Sequence, residues 1–167
     1  MYRFENSFCV FTELMVNMER THLAGCIIVR PDSAVLLLHR NTKKRSQWEI
    51  PGGKVDPQED PMRAAIREAR LETGLEVEVV AEFGTQPFEQ DSTLFIYSWY
   101  LAKVIAGTPE IRQPETHDEI RFISIDELRG ISSDLSPNVK NFLGEIDSGR
   151  LIIPEGGAAC WVPELRP

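Results

Sequence analysis

Apolar and polar positions divide the chain into short segments of changing period. Residues 22–30, HLAGCIIVR, and 34–40, AVLLLHR, are almost continuously apolar. Runs of that length bounded by turn residues predict buried strands, here in a sheet covered on both faces. Pro31-Asp32-Ser33 between them predicts a tight turn, so the two runs are expected to pair as a hairpin. Residues 76–83 alternate charged and apolar positions, as a half-buried strand does. Residues 94–105, LFIYSWYLAKVI, combine aromatic and β-branched side chains and predict the longest strand. Between these two, residues 84–91 contain Gly84 and Pro87 and are expected to form a loop. Residues 107–116 are expected to form another.

Helical spacing takes over in two places. Residues 62–73, MRAAIREARLET, predict a helix that Gly74 stops. Ser136 followed by Pro137 is a helix start, and the pattern runs to about Ile146. Residues 119–124 form a further short strand, and Asp126-Glu127-Leu128 opens a helical turn. Residues 151–153 are a brief apolar run. The ends are less regular. In residues 1–20, Phe4, Phe8 and Phe11 have helical spacing, yet Phe8-Cys9-Val10-Phe11 also reads as a strand, and the choice stays open. This arm is expected to pack on the domain or on a second subunit, the latter giving a homodimer. Residues 154–167 hold three prolines and a glycine pair and predict an irregular tail, with Trp161 pinning it to the surface. The expected organisation is one domain over residues 21–153 between arm and tail, with strands and helices alternating into an α/β fold whose mixed sheet carries helices on both faces.

Composition narrows the partners. The 167 residues carry a formal net charge of −8 with 42% hydrophobic and 26% charged positions, ordinary for a globular domain. Binding to a nucleic-acid duplex draws on lysine and arginine to displace counterions, and this balance argues against it. A phosphorylated small molecule remains compatible if metal ions neutralise its phosphates. Cys9, Cys26 and Cys160 are far apart and lack zinc-site spacing, so reduced, mostly buried thiols are expected. No signal-peptide pattern and no run of ~20 apolar residues is present, which points to the cytoplasm and away from a membrane.

The chemistry concentrates in residues 48–75, WEIPGGKVDPQEDPMRAAIREARLETGL. Glu68 and Glu72 are four apart on the helix, so both carboxylates leave one face. Like charges at that spacing repel by a few tenths of a kcal/mol, and a divalent cation between them reverses the sign. An acidic pair on an arginine-rich helix is also what a solvated surface presents. The neighbouring residues weigh against that plainer reading. Gly53, five intervening residues, Glu59, seven intervening residues, then Arg67-Glu68, Glu72 and Gly74-Leu75 stand at the offsets of a known signature. They resemble the Nudix box, G-x5-E-x7-R-E-U-x-E-E-x-G-U, where U is bulky and apolar. Ala69 is a mild departure at an apolar position. Leu71 replaces the first glutamate of the Glu-Glu pair. It lies one turn from Glu68 and cannot bind Mg²⁺.

The resemblance implies a MutT-like Nudix hydrolase with an α/β/α sandwich fold, using Mg²⁺ or Mn²⁺. It implies hydrolysis of a phosphoanhydride in a nucleoside diphosphate-linked molecule, most simply a nucleoside triphosphate giving a monophosphate and pyrophosphate. A nucleotide sugar or ADP-ribose as substrate, or a regulatory nucleotide-binding domain with little turnover, are the alternatives. By position, Glu72, Glu68 and the Gly52 carbonyl are the expected metal ligands, with Glu68 alternatively a base for water. Arg67 is expected to orient a box carboxylate through Glu59. Glu119, with Glu115 second, is the candidate for the extra carboxylate that such domains bring from outside the box. Arg40, Arg45 and Lys54 are the substrate-binding candidates, placed to steer a polyphosphate. Phe95, Tyr97 and Trp99 share one strand face and read as core before they read as a base-stacking platform. His39 reads as a rim or core histidine.

Overall fold

Continuous apolar runs and alternating runs both become strands, but they divide between two sheets. The computed structural model describes residues 20–131, 134–153 and 160–161. In chain order the elements are β1 (Arg20–Ile28), β2 (Val35–Asn41), β3 (Ser46–Glu49), β4 (Gly52–Lys54), α1 (Pro61–Thr73), β5 (Glu76–Gln90), β6 (Thr93–Ala106), β7 (His117–Ile123), α2 (Ile125–Gly130), α3 (Pro137–Asp147), β8 (Leu151–Ile152) and β9 (Cys160–Trp161). One sheet has the order β4-β1-β6-β5 and the second β3-β2-β7, while β8 and β9 form a ribbon. The first sheet is mixed: β1 and β6 are parallel, whereas β1–β4 and β5–β6 are antiparallel.

The near-continuous apolar character of β1 and β2 has the expected cause. Successive side chains of a strand point to opposite faces, and here both faces are covered. Ala24, Cys26 and Ile28 join Leu36 and the buried Ala64, Ala65 and Ala69 of α1 in one cluster. Ile27, Val35 and Leu37 join Trp99, Leu128, Val139 and Phe142 in the other, under α2 and α3. The result is a sandwich of helices around sheet, as anticipated. The expected β1–β2 hairpin is not what forms. The turn is there, with Ser33 at φ 65° and the Arg30 amide donating to the Ala34 carbonyl at 2.9 Å. Beyond one bridge, Val29–Val35, the strands part. Both edges of β1 are already taken by β4 and β6, so β2 pairs with β3 and β7 instead.

Residues 84–90 also differ from the expected loop. They continue β5, paired with β6 as far as Gln90–Thr93. Pro87 is tolerated because β5 is the edge of its sheet, where a missing N–H breaks no ladder. Asp91 and Ser92 close the hairpin with φ of 52° and 61°, a conformation the sequence advertises poorly because neither residue is glycine or asparagine. Of the tail, Cys160–Trp161 pairs with Leu151–Ile152. The N-terminal arm, with its phenylalanines, Cys9 and the proposed subunit contact, lies outside the described residues.

Candidate active site

The site grows from the start and the face of α1. Asp60 caps the helix, accepting from the amides of Met62 at 3.0 Å and Arg63 at 3.2 Å, and Pro61 follows with its φ already helical. At the other end Gly74 takes the left-handed conformation, φ 72°, and donates back to the Arg70 carbonyl. Ala64, Ala65 and Ala69 are small enough to lay the helix close on the sheet. That fixes the rotation of α1 and turns Glu68 and Glu72 toward β4.

At β4 both glycines lie in close quarters, Gly52 against backbone and Gly53 against the end of a side chain. A Cβ on Gly53 would sit 2.6 Å from the Glu68 carboxyl carbon. A Cβ on Gly52 would sit 2.4 Å from the Tyr97 hydroxyl and 2.5 Å from the Ala24 carbonyl oxygen. Gly25, on the neighbouring strand, faces the same hydroxyl and is equally confined. The Gly52 amide donates to Glu72 Oε2 at 2.8 Å. Glu72 is 5% exposed. Burial pushes its carboxyl up to about 8, with the Gly52 amide opposing and the charges of Glu68 and Glu49 adding to the rise. A cation beside this acid would relieve its unfavourable placement.

Arg67 immobilises the second carboxylate. Its guanidinium forks onto Glu59, Nε to Oε1 at 2.9 Å and Nη2 to Oε2 at 2.8 Å, and it also donates to Glu68 Oε1 and, at 3.0 Å, to the Lys54 carbonyl. The Arg67 bonds hold the Glu59 carboxyl down at about 2. The expected Arg67–Glu59–Glu68 association is therefore present as geometry.

A third carboxylate comes from β3. Glu49 accepts from Arg40 Nε at 2.8 Å on each oxygen and from Gln47 at 2.7 Å, with His117 Nε2 3.7 Å away. Burial pushes its carboxyl up, but His117, Arg40 and Gln47 together outweigh burial and hold it below the ordinary value. Glu119 lies elsewhere. It pairs in register with His39, while Glu49 pairs with Leu38, so strand alternation sends the two acids to opposite faces. Glu119 is ion-paired with Arg121 and partly exposed. Glu115 sits exposed in the loop before β7. His39 Nδ1 donates to Asp118 Oδ1 at 2.6 Å at the sheet rim.

An adjoining cleft of about 320 Å³ is lined by Arg40, Arg45, Lys54, Phe88, Phe95 and Asn138, together with Glu49, Gly52, Gly53 and Tyr97. All three substrate-binding candidates reach it, in different states. Arg40 is committed to Glu49 and Arg45 to Asp91, whereas Lys54 is exposed and makes no ion pair among the described residues. Phe88 and Phe95 stack at 5.1 Å. Tyr97 and Trp99 are core, as read from the sequence, but Phe95 faces the cleft. Glu49, Phe88, Asn138 and Gly25 escaped the sequence reading. For Glu49 the only signal was its place beside Trp48 in Trp-Glu-Ile-Pro-Gly-Gly; Phe88 was hidden in a stretch that looked like loop.

Among the described residues no three or more histidine, cysteine or acidic side chains converge as a metal cluster. The donor set here is two carboxylates beside a backbone bend. All are oxygen donors, and one is a buried acid that accepts from the Gly52 amide. That suits a hard cation that keeps several of its waters.

A family model described as the NUDIX domain matches residues 20–144, and the chain belongs to this family. It is similar to an RNA pyrophosphohydrolase of Pelagibacter ubique, 32% identical over 140 residues, covering 74% of this chain and 89% of that protein. It is also similar to a CMP-5'-(N-acetyl-N-hydroxy-3-aminopropyl)phosphonate hydrolase of Streptomyces rubellomurinus, 34% identical over 110 residues, with 62% of this chain and 52% of that protein covered. The chain thus spans about half the length of that curated relative. Among solved structures, a MutT NUDIX hydrolase from Burkholderia pseudomallei superposes with a TM-score of 0.69 at 25% identity, over 77% of this chain and 98% of the other.

Proposed function

We propose that this protein hydrolyses a phosphoanhydride bond in a nucleoside diphosphate-linked substrate with the help of Mg²⁺ or Mn²⁺, in the first instance a nucleoside triphosphate. The observation that carries the reading is Glu72, a buried carboxylate with one backbone donor, facing the same bend as Glu68. Glu72, Glu68 and a backbone oxygen at Gly52 would hold the ion. Bound there, a divalent ion neutralises phosphate charge and lowers the pKa of an attacking water.

The chain's own residues do the rest. Arg67 occupies Oε1 of Glu68, which leaves Oε2 for the ion or for a proton of the water. The stacked Phe88 and Phe95 offer an apolar wall to a base, and Asn138 offers an amide to its edge. Lys54, which lines the cleft and makes no ion pair among the described residues, meets a phosphate. Reaction at phosphorus mostly requires positioning and charge neutralisation, which this constellation supplies. Glu49 takes the part assigned to Glu119 in the sequence reading, because it is the outside carboxylate that borders Gly52 and Gly53. The cytoplasmic setting and the small-nucleotide partner belong to the same proposal. No helix among the described residues is long and apolar enough to cross a membrane.

Two relatives are named ADP-ribose pyrophosphatase and 8-oxo-dGTP diphosphatase, so a panel of diphosphate-linked nucleotides is the appropriate test. Purified protein with Mg²⁺ or Mn²⁺ is expected to release a nucleoside monophosphate. Glu72→Gln is expected to lose at least ~100-fold in kcat, the scale of removing one electrostatic group from a water-excluded site. Leu71, 50% exposed where the family pattern carries a glutamate, favours a second reading as a nucleotide sensor. Tight nucleotide binding by the parent without turnover would establish that reading and end the first.

A further inference from the structure

His39 lines no part of the cleft, and both of its ring nitrogens are engaged at the rim of the second sheet. Nδ1 donates to Asp118 Oδ1 at 2.6 Å, and Asn41 Nδ2 donates to the other Asp118 oxygen, also at 2.6 Å. With the proton on Nδ1, Nε2 is left as an acceptor, and Ser46 Oγ stands 3.4 Å from it. A hydroxyl, an imidazole and a carboxylate thus follow one another in contact. The His39 and Asn41 bonds hold the Asp118 carboxyl below its ordinary value, so it is ionised at neutral pH.

Strand register assembles the three. His39 pairs with Trp48 and Asn41 with Ser46, so His39, Asn41 and Ser46 leave β2 and β3 on one face, opposite Arg40, Gln47 and Glu49 of the cleft. β7 carries a bulge at this point. His39 pairs with Glu119 and Arg40 with His117, which leaves Asp118 as the extra residue. In unbroken register Asp118 would pair with Arg40 and share the cleft face; the bulge re-aims it to His39. The His39 ring also lies 5.0 Å from the ring of the buried Trp48, which supports it from one side. Ser46 is exposed and follows the turn that bears Lys43 and Lys44, both exposed and without an ion pair among the described residues.

A purely structural role would end at Asp118, where His39 and Asn41 tie β2 to β7. It gives no part to an exposed serine at the remaining ring nitrogen. We propose that Ser46, His39 and Asp118 form a second reactive centre, a nucleophilic serine that takes the acyl group of small carboxylic esters with a stable leaving group. The order of contacts assigns the roles. His39 Nε2 takes the Ser46 proton as Oγ bonds to the acyl carbon, while Asp118 holds the ring and its tautomer. The ester C–O bond breaks, and the leaving oxygen departs with the electron pair and recovers the proton from His39. Water then gives a proton to the same nitrogen, adds to the acyl carbon and releases the carboxylic acid, returning the proton to Ser46. Lys43 and Lys44 favour negative charge developing beside the serine. A contact of 3.4 Å suits this role, because catalytic hydrogen bonds are often long before a substrate is bound. The inference is independent of the hydrolase reading above, since no residue lining the cleft takes part.

The test treats the full chain with para-nitrophenyl acetate in EDTA, which keeps divalent ions out of the cleft. Nitrophenolate release is followed, and the acetyl group is located by mass mapping of peptides after an acid quench. The parent is expected to acetylate at Ser46, and Ser46→Ala to abolish that label. His39→Gln is expected to slow Ser46 labelling by ~100-fold, the scale of a positioned general base. Asp118→Asn is expected to slow it too, because the imidazole loses the partner that sets its tautomer. Acetylation of Lys43 and Lys44 in the same digests is the internal reference and should match in all four proteins. A second measurement needs no variant. In the parent, Ser46 should label ~100-fold faster than Ser92, an exposed serine with no histidine beside it. Acetyl on the lysines but not on Ser46, equal labelling of the two serines, or an undiminished Ser46 rate in His39→Gln would each overturn the proposal, whatever the protein does with nucleotides.

Discussion

Gly53 and Leu71 show how single positions decide the chemistry available to the box helix. At Gly53 the constraint is contact: the added methyl of Gly53→Ala would meet the Glu68 carboxyl at 2.6 Å. That side chain can swing away, so the fold should survive. The expected outcome is a fall in kcat of ~10-fold or more, the kind of loss that small misplacement of a reacting group causes. Thermal melting beside steady-state kinetics checks it; an unaltered kcat would mean that the placement of Glu68 does not matter. At Leu71 the constraint is absence. The side chain is half-exposed, so Leu71→Glu should be tolerated, and a third carboxylate one turn from Glu68 should tighten Mg²⁺ binding or raise turnover. Metal titrations of the two proteins that superimpose would remove this role for the position.

At the scale of elements, α1 is the part on which the site depends, and its start is held by one side chain. Asp60 satisfies two orphan amides. Asp60→Ala should cost about 1 kcal/mol, a drop in Tm of roughly 2–4 °C for a domain of this size. Calorimetry decides, and a Tm within error of the parent would show that packing of Ala64, Ala65 and Ala69 suffices. Strand pairing is where the sequence reading went astray. Residues 22–30 and 34–40 look like a hairpin because the turn between them is real. Which edge a strand offers is settled by non-local partners, here β4 and β6. Likewise Pro87 marks a loop in most contexts, and only the position of β5 at a sheet edge lets the strand run through it.

For the molecule as a whole, the core itself is a titration partner. Cys26 is fully enclosed in the cluster beneath α1, and burial pushes its thiol up to about 12 from an ordinary 9. An acid with a raised folded pKa leaves stability intact below its unfolded value. Stability is then lost as pH climbs from about 9 through about 12, at up to ~1.4 kcal/mol per pH unit, because the unfolded chain releases the proton first. Urea unfolding across that window should show the decline, with a shallower slope in Cys26→Ala. Peptide mapping should find Cys26 unalkylated in the native protein at pH 8. Rapid native labelling of that cysteine would contradict the packing.

The sequence by itself determined the local things: the box helix and its caps, the face shared by Glu68 and Glu72, the Arg67 clamp and the two-sided burial of β1 and β2. Each follows from periodicity or from offsets within one segment. Only the tertiary structure decided that Glu49 and not Glu119 borders the diglycine bend, that Phe88 and Asn138 line the cleft, and that Asp118 meets His39 at the sheet rim. Those neighbours come from strands and loops distant in sequence, and strand register, which one residue of slippage would invert, sets the face on which each side chain emerges.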